Sequence, residues 1–119
     1  LETQMARIQA ETIEARWARH AAMAEQTYRW VGERAERFGL GILAPEGRRS
    51  PTVTAVTLPE RVSGDDVVTG MLARGLTIGN GYGPVRRRSF RIGHMGDHTP
   101  EMIARCLDAC DEVLAELLA

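Results

Sequence analysis

The sequence contains no lysine, although 15 of its 119 residues are basic. All 15 are arginines, so any chemistry that needs a lysine amine must come from outside this chain. No apolar run approaches the roughly 20 residues that a membrane-spanning helix needs, and the chain does not open on an apolar signal segment. These absences argue against membrane insertion and export, and they favour a cytoplasmic protein.

Cysteine is scarce as well, with only Cys106 and Cys110. Four residues apart in a predicted helix, they have poor geometry for a disulfide, which fits a reducing compartment. The formal net charge of −1 gives no basic field for nucleic-acid binding, and a hydrophobic content of 44% argues against disorder. We therefore expect residues 1–119 to fold as one domain. Because the chain begins with Leu1 rather than methionine, we also expect it to be part of a longer protein.

Hydrophobic spacing and turn residues predict the element order α-β-β-α-β-β-α. Residues 3–38 lack proline and repeat apolar side chains at helical spacing, which predicts one long amphipathic helix. Further helices are predicted to begin after the N-caps Ser63 and Thr99. Strands are predicted at residues 42–44, 52–58, 76–78 and 89–94. This pattern indicates an α+β fold in which a small antiparallel or mixed sheet of about four strands is covered by helices on one face.

The helical spacing also predicts which side chains of the first and last helices are buried. On the first helix the predicted stripe is Ile13, Trp17, Ala21, Ala24, Tyr28, Val31, Ala35 and Phe38. On the last helix it is Ile103, Leu107, Cys110, Leu114 and Leu117.

Arg91 is the leading candidate for a functional residue, and it lies in the stretch SFRIGHMGD. Because successive side chains on a strand point to opposite faces, Arg91 and Gly93 share the face that Phe90 and Ile92 do not use. A planar guanidinium binds a carboxylate through two parallel hydrogen bonds, and Gly93 would leave room for a ligand. The pattern alone leaves a solvated surface arginine as the alternative.

Three other motifs are better explained without a function. GNGYGP, residues 79–84, lacks the GxxxxGK[ST] phosphate-binding pattern, so a turn between strands is favoured. Arg86–Arg88 has no interleaved aromatic residues and is predicted to be an exposed loop. Zinc-binding residue types occur at His94, His98, Cys106 and Cys110. Cys110 falls on the buried stripe and His94 on the apolar face of its strand, so packing or loop roles are favoured and no metal is predicted.

Four stretches together resemble the C-terminal small domain of class V pyridoxal-phosphate-dependent aminotransferases: FRIGHMG, RRSPTVTAVTLPERV, ARWARHAAMAE and GNGYGP. The similarity points to the serine-pyruvate and alanine-glyoxylate aminotransferase group, and it runs from about residue 10 to the end. It implies that Arg91 binds the α-carboxylate of the amino-acid substrate. Asn80 departs from the pattern, since relatives often carry a second glycine there, and Arg86–Arg88 replaces a stretch that often contains glycine and lysine.

The resemblance implies an enzyme in which pyridoxal phosphate and its Schiff-base lysine belong to a separate large domain. That enzyme would transfer an amino group between a small amino acid and a 2-oxo acid, commonly as a homodimer. This chain would supply the substrate-binding Arg91 but no catalytic, cofactor-binding or metal-binding residue, and it would be inactive alone. The alternative is a stand-alone α+β module that docks a protein partner on its open sheet face.

Overall fold

The computed structural model of the chain describes residue 6 and residues 11–50, 52–94 and 98–119. The elements, in chain order, are α1 (Ile13–Phe38), β1 (Gly41–Ile42), β2 (Val53–Thr57), α2 (Gly64–Ala73), β3 (Gly79–Asn80), a 3₁₀ helix (Gly83–Arg88), β4 (Ser89–Gly93) and α3 (Pro100–Leu117). The predicted order of helices and strands is confirmed, and the 3₁₀ helix is an addition to it.

The four strands form one antiparallel sheet in the order β1-β2-β4-β3. In the central pair, Val56 lies opposite Phe90 and Ala55 lies opposite Arg91. Since paired residues share a face, Val56 and Phe90 belong to the apolar face, and Arg91 belongs to the other. Helix α1 packs against β1 and β2, α2 packs against β3 and β4, and α3 contacts both helices. The predicted α+β fold with helices on one face is confirmed.

The hydrophobic core lies between this apolar face and the helices. Phe90 of β4, Met23 of α1, Met71 of α2 and Leu114 of α3 are all fully buried in one cluster. Each fully buried side chain of this size contributes about 1.5 to 3 kcal/mol relative to an exposed one. The core therefore fixes the position of β4, whose other face remains open.

Helix α3 begins as the sequence predicts. The Thr99 side chain accepts a hydrogen bond from the Met102 main-chain N–H at 3.2 Å, and Pro100 occupies the first turn. The Ser63 side chain caps α2 in the same way, through the Asp65 main-chain N–H. Both predicted N-caps are confirmed.

The long helix differs from its prediction in two respects. It begins at Ile13, because Thr12 has non-helical backbone angles (φ 70°, ψ 152°) and its side chain accepts from the Ala15 N–H. Residues 3–5 and 7–10 of the predicted helix lie outside the described residues. The predicted burial of Trp17 is also wrong, since it is 66% exposed. A 26-residue helix is about 39 Å long and a five-residue strand about 17 Å, so the helix is much longer than the sheet it covers.

The third strand also differs from its prediction. It lies at Gly79–Asn80 rather than at residues 76–78, where the structure has no strand. GNGYGP therefore supplies a strand and the start of the 3₁₀ helix, and Arg86–Arg88 lies in that helix rather than in a loop, although all three arginines are exposed as predicted. The first strand is shifted similarly, to Gly41–Ile42 from residues 42–44. Backbone pairing with the neighbouring strand, rather than side-chain type, sets these positions.

Burial along the two predicted helix stripes is less complete than predicted, and Ala21 of the first helix is exposed as well as Trp17. Leu117 is 38% exposed and Ile13 is 50% exposed, whereas the central members Ile103, Leu107 and Cys110 are buried.

In the described part of the chain, no helix is both long enough and apolar enough to cross a bilayer.

Candidate functional site

Arg91 lies on the face of β4 that points away from the core, where it is half-buried. Its neighbours Phe90 and Ile92 are buried on the opposite face, as strand alternation predicts. Gly93 follows on the Arg91 side, and a Cβ atom added there would meet nothing within 4 Å. The predicted orientation of Arg91 and the clearance at Gly93 are confirmed. Met95 and Gly96 of the FRIGHMG motif lie outside the described residues.

Two neighbours hold the guanidinium of Arg91. The Arg91 Nε donates a hydrogen bond to the main-chain oxygen of Asn80 at 2.6 Å. The Arg91 Cζ lies 3.9 Å from the centroid of the Tyr82 ring, close enough for a cation–π interaction. Gly79 pairs with Arg91 across the strands, and a Cβ at Gly79 would lie 3.1 Å from Arg91 Nη2. The absence of a side chain at Gly79 therefore lets the guanidinium lie against β3.

The terminal nitrogens of Arg91 remain available. Among the described residues, neither Nη1 nor Nη2 of Arg91 has a hydrogen-bond acceptor or a carboxylate partner. Arg34 contrasts with it, since its Nε and Nη2 donate to the two oxygens of Asp111 at 3.0 and 2.9 Å. The hydrogen bond to Asp111 raises the pKa of Arg34. Arg34 thus makes a carboxylate fork within the fold, whereas Arg91 has donors for one and no internal partner among the described residues.

Asn80 connects the site to helix α2. Its side-chain amide donates to Asp65 Oδ1 at 3.2 Å, and Arg86 Nε donates to the same oxygen at 3.3 Å. The Asn80 backbone pairs with Phe90 in the sheet. The carbonyl that accepts from Arg91 is therefore fixed by strand pairing and by its own side chain.

Sequence reasoning missed Asn80 and Tyr82 as site residues, because GNGYGP was interpreted as a turn. A backbone acceptor such as the Asn80 carbonyl leaves no trace in residue type. Tyr82 does leave one, since it is an aromatic residue among glycines next to a predicted strand. An aromatic ring in such a position could have been paired with Arg91 as a cation–π candidate.

The four zinc-type residues do not assemble into a metal site. His94 is fully buried, and its Nε2 lies 2.8 Å from Thr54 Oγ1. Cys110 is fully buried and Cys106 partly, and both are free thiols. Their mutual hydrogen bond lowers the pKa of Cys106, and that bond together with burial raises the pKa of Cys110. Within the described ranges, no three His, Cys, Asp or Glu side chains come together as ligands.

The candidate site at Arg91 is separate from the cavity at the edge of the sheet. A cavity of about 300 Å³ lies at the sheet edge between β4 and α3, where it is lined by residues that include Ile78, Gly93, Met102 and Cys106. Arg91 is not among its lining residues. A ligand held by Arg91 alone would remain largely exposed, so a second surface is needed to enclose it.

Comparison with known proteins gives relatives over nearly the whole chain. It is 33% identical over 114 residues to L-aspartate–glyoxylate aminotransferase from Paracoccus denitrificans, a match that covers 93% of this chain and 28% of that protein. It is 31% identical over 116 residues to alanine–glyoxylate aminotransferase from Mus musculus, covering 96% and 27%. The chain belongs to the class V aminotransferase family. No family model matches it.

Solved aminotransferase structures share the fold. Pyridoxamine-pyruvate aminotransferase from Mesorhizobium loti matches with a TM-score of 0.80 and 28% identity over 93% of this chain and 28% of that one. Alanine–glyoxylate aminotransferase from Nostoc sp. matches with a TM-score of 0.78 and 29% identity, over 90% and 28%. A relative with a different name, the soluble hydrogenase small subunit of Synechococcus sp., is 30% identical over 118 residues, covering 98% and 29%. The chain thus spans less than a third of the length of these relatives.

Family membership implies pyridoxal phosphate as the cofactor, and the residues present here do not fit it by themselves. The chain has no lysine that could bond to the cofactor aldehyde. At the candidate site, the guanidinium of Arg91 presents two nitrogens, Nη1 and Nη2, that have no acceptor among the described residues. The residues of this class V aminotransferase segment therefore do not fit the cofactor without further residues.

Proposed function

We propose that the chain, residues 1–119, is the small domain of a pyridoxal-phosphate-dependent aminotransferase, and that Arg91 binds the α-carboxylate of its substrate. The enzyme transfers an amino group between a small amino acid and a 2-oxo acid, which is supported by relatives named for alanine, aspartate and glyoxylate. A large domain of the same polypeptide supplies the lysine and the cofactor, and covers the open sheet face. The chain alone is inactive, and the whole enzyme is a cytoplasmic homodimer.

The terminal nitrogens of Arg91, which have no acceptor in the described part of the chain, support this role most directly. An arginine on a half-buried strand normally finds an internal partner or extends into solvent. Arg91 has internal partners for only part of its guanidinium: Asn80 and Tyr82 hold it against the sheet, while Nη1 and Nη2 have no acceptor among the described residues. A charge-assisted fork from these nitrogens to a carboxylate fixes the direction of a substrate as well as its charge. Pyridoxal phosphate, when bound, supplies the electron sink for the chemistry, and this chain orients the substrate toward it.

The test is substitution of Arg91 in the full-length enzyme. A hydrogen bond to a charged group contributes about 1.5 to 3 kcal/mol, so Arg91→Ala should lower kcat/KM for alanine about ten- to a hundredfold. Much of that loss should appear in KM. Arg91→Lys keeps the charge but loses the planar fork, so it should recover only part of the activity.

Two controls separate carboxylate binding from a structural role. Ethylamine lacks the α-carboxylate, so its slow turnover should be nearly indifferent to substitution of Arg91. Arg74 is an ion-paired arginine at the end of α2 opposite Asp65, and Arg74→Ala should leave kcat/KM for alanine within about twofold. Equal losses on alanine and ethylamine would mean that Arg91 supports the fold or the domain interface, and the assignment would be wrong.

A further inference from the structure

Tyr82 places a large ring on the surface next to the proposed carboxylate site. Its side chain is 69% exposed, and the residue follows β3 in extended conformation (φ −110°, ψ 147°) at the start of the 3₁₀ helix. The ring contributes little to the hydrophobic core. The ring stacks on the Arg91 guanidinium, whose Cζ lies 3.9 Å from the ring centroid.

Tyr82 and Asn80 restrain the guanidinium in complementary ways. The hydrogen bond from Nε to the Asn80 carbonyl oxygen, at 2.6 Å, acts along one edge of the guanidinium. The Tyr82 ring covers one face, where the negative face of the π-system attracts the cation. One restraint without the other would leave the guanidinium free to turn, because a long arginine side chain has many accessible rotamers.

The occupied Nε also decides how a carboxylate can bind. Arg34 binds Asp111 side-on, through Nε and Nη2. Arg91 cannot repeat that arrangement while its Nε donates to Asn80. The edge that carries Nη1 and Nη2 is the remaining pair of parallel donors.

We propose that Tyr82 is a positioning residue that holds Arg91 for end-on binding of the substrate carboxylate through Nη1 and Nη2. The proposal rests on the proposed function and adds to it a residue that acts through Arg91. Removing the ring should weaken binding of carboxylate substrates, because more of the arginine's conformational freedom must then be lost on binding. Substrates without the carboxylate should not respond.

The experiment measures KM and kcat of the full-length enzyme for alanine and for ethylamine. Tyr82→Leu keeps an apolar side chain but removes the ring and its π-system, and it should raise KM for alanine about two- to fivefold with little change in kcat. Tyr82→Phe keeps the ring and should recover most of that loss. In an Arg91→Ala background, Tyr82→Leu should add no further loss, because a residue that acts through Arg91 has nothing left to position.

The outcomes distinguish this inference from the proposed function. If Arg91→Ala impairs alanine turnover while Tyr82→Leu matches wild type, Arg91 binds the carboxylate without help from Tyr82 and the inference is overturned. Equal impairment in Tyr82→Phe and Tyr82→Leu would assign the effect to the hydroxyl and overturn the stacking role. A Tyr82→Leu loss that is additive to Arg91→Ala, or equal on ethylamine, would place Tyr82 in a separate role. An Arg91→Ala enzyme with normal alanine kinetics would overturn both proposals.

Discussion

Gly64 opens helix α2 where the main chain leading into β4 lies against it. A Cβ atom at Gly64 would collide with the main-chain oxygen of Ser89 and would lie 2.8 Å from that of Arg86. Both neighbours are backbone atoms, so neither can move aside by rotating a side chain. Glycine at this position allows α2 to sit close to the strand that carries Arg91.

Replacement of Gly64 by alanine should destabilise the fold. The added methyl forces a backbone shift, and overpacking of this kind costs about 1 to 3 kcal/mol. Gly32 is the matched control, since it lies inside α1 with nothing within 4 Å of its added Cβ. Gly32→Ala should stabilise the helix by about 0.5 to 1 kcal/mol. The midpoint of thermal unfolding measures both, and similar shifts for the two variants would show that the contact at Gly64 relaxes freely.

At this scale the sequence predicts the orientation of side chains on a strand but not their partners. Alternation in β4 places the side chains of Arg91 and Phe90 on opposite faces of the sheet, and the structure agrees. Asn80 and Tyr82 could not be assigned to Arg91, because their contacts depend on where β3 pairs with β4. Trp17 was wrongly predicted to be buried for a related reason, since a helical stripe does not reveal how far the covered surface extends.

Side-chain hydrogen bonds connect helix α1 to α3, or to the residues just before it, at two places along its length. Arg19 donates from Nη1 to the main-chain oxygen of His98, just before α3. Near the middle of α3, Asp111 accepts from the Trp30 indole N–H at 2.9 Å and from Arg34. Glu11 orients the Arg19 side chain in the first of these contacts, because Glu11 accepts a hydrogen bond from Arg19 Nε at 2.6 Å. Polar contacts outside the core therefore fix the relative position of these helices.

The interaction between Glu11 and Arg19 should weaken at acid pH. The hydrogen bond from Arg19 lowers the pKa of Glu11 below its ordinary value of 4.5. A carboxylate with a lowered folded-state pKa stabilises the fold above its unfolded-state pKa, and this contribution disappears as the pH falls through the folded-state value. The thermal stability of Glu11→Gln should therefore fall less steeply than that of wild type as the pH drops from about 5 to 2. The difference in stability between the two proteins should be smaller at the lower end of this range.

The measurement is the midpoint of thermal unfolding across that pH range, at low and at high salt. High salt should shrink the difference between wild type and Glu11→Gln at neutral pH, because the carboxylate is accessible to solvent. The control variant is Glu14→Gln, which changes another carboxylate in the first turn of α1. A pH profile for Glu11→Gln parallel to wild type would remove Glu11 from the acid response.

Elements were predicted best where capping residues mark their ends. Ser63 and Thr99 locate α2 and α3 because their side chains cap the first turns. The third strand was placed three residues too early, because residues 76–78 have strand-like side chains whereas Gly79–Asn80 does the pairing. Local side-chain preference could not predict that pairing, since it depends on the fit of Gly79 under Arg91.

For the molecule as a whole, the fold class and the open sheet face follow from pattern, but the surface that covers this face does not. The open face carries Arg91 and Gly93, and Arg91 does not line the cavity between β4 and α3. The relatives are more than three times as long as this chain, which leaves room for the large domain proposed above. Residues outside a sequence cannot be inferred from it, so the covering of this face by a large domain stays a proposal.

Trapping of the cofactor tests that large domain directly. Borohydride reduces a Schiff base to a stable amine, and no side chain among these 119 residues can form one, because the chain has no lysine. The full-length protein, incubated with pyridoxal phosphate and reduced, should carry one trapped adduct per polypeptide on a lysine outside residues 1–119. Peptide mapping by mass spectrometry locates it, and the isolated chain serves as the control, in which modification should be confined to the N-terminal amine. A full-length protein that traps no cofactor would favour the stand-alone binding module, because an aminotransferase of this family cannot work without that bond.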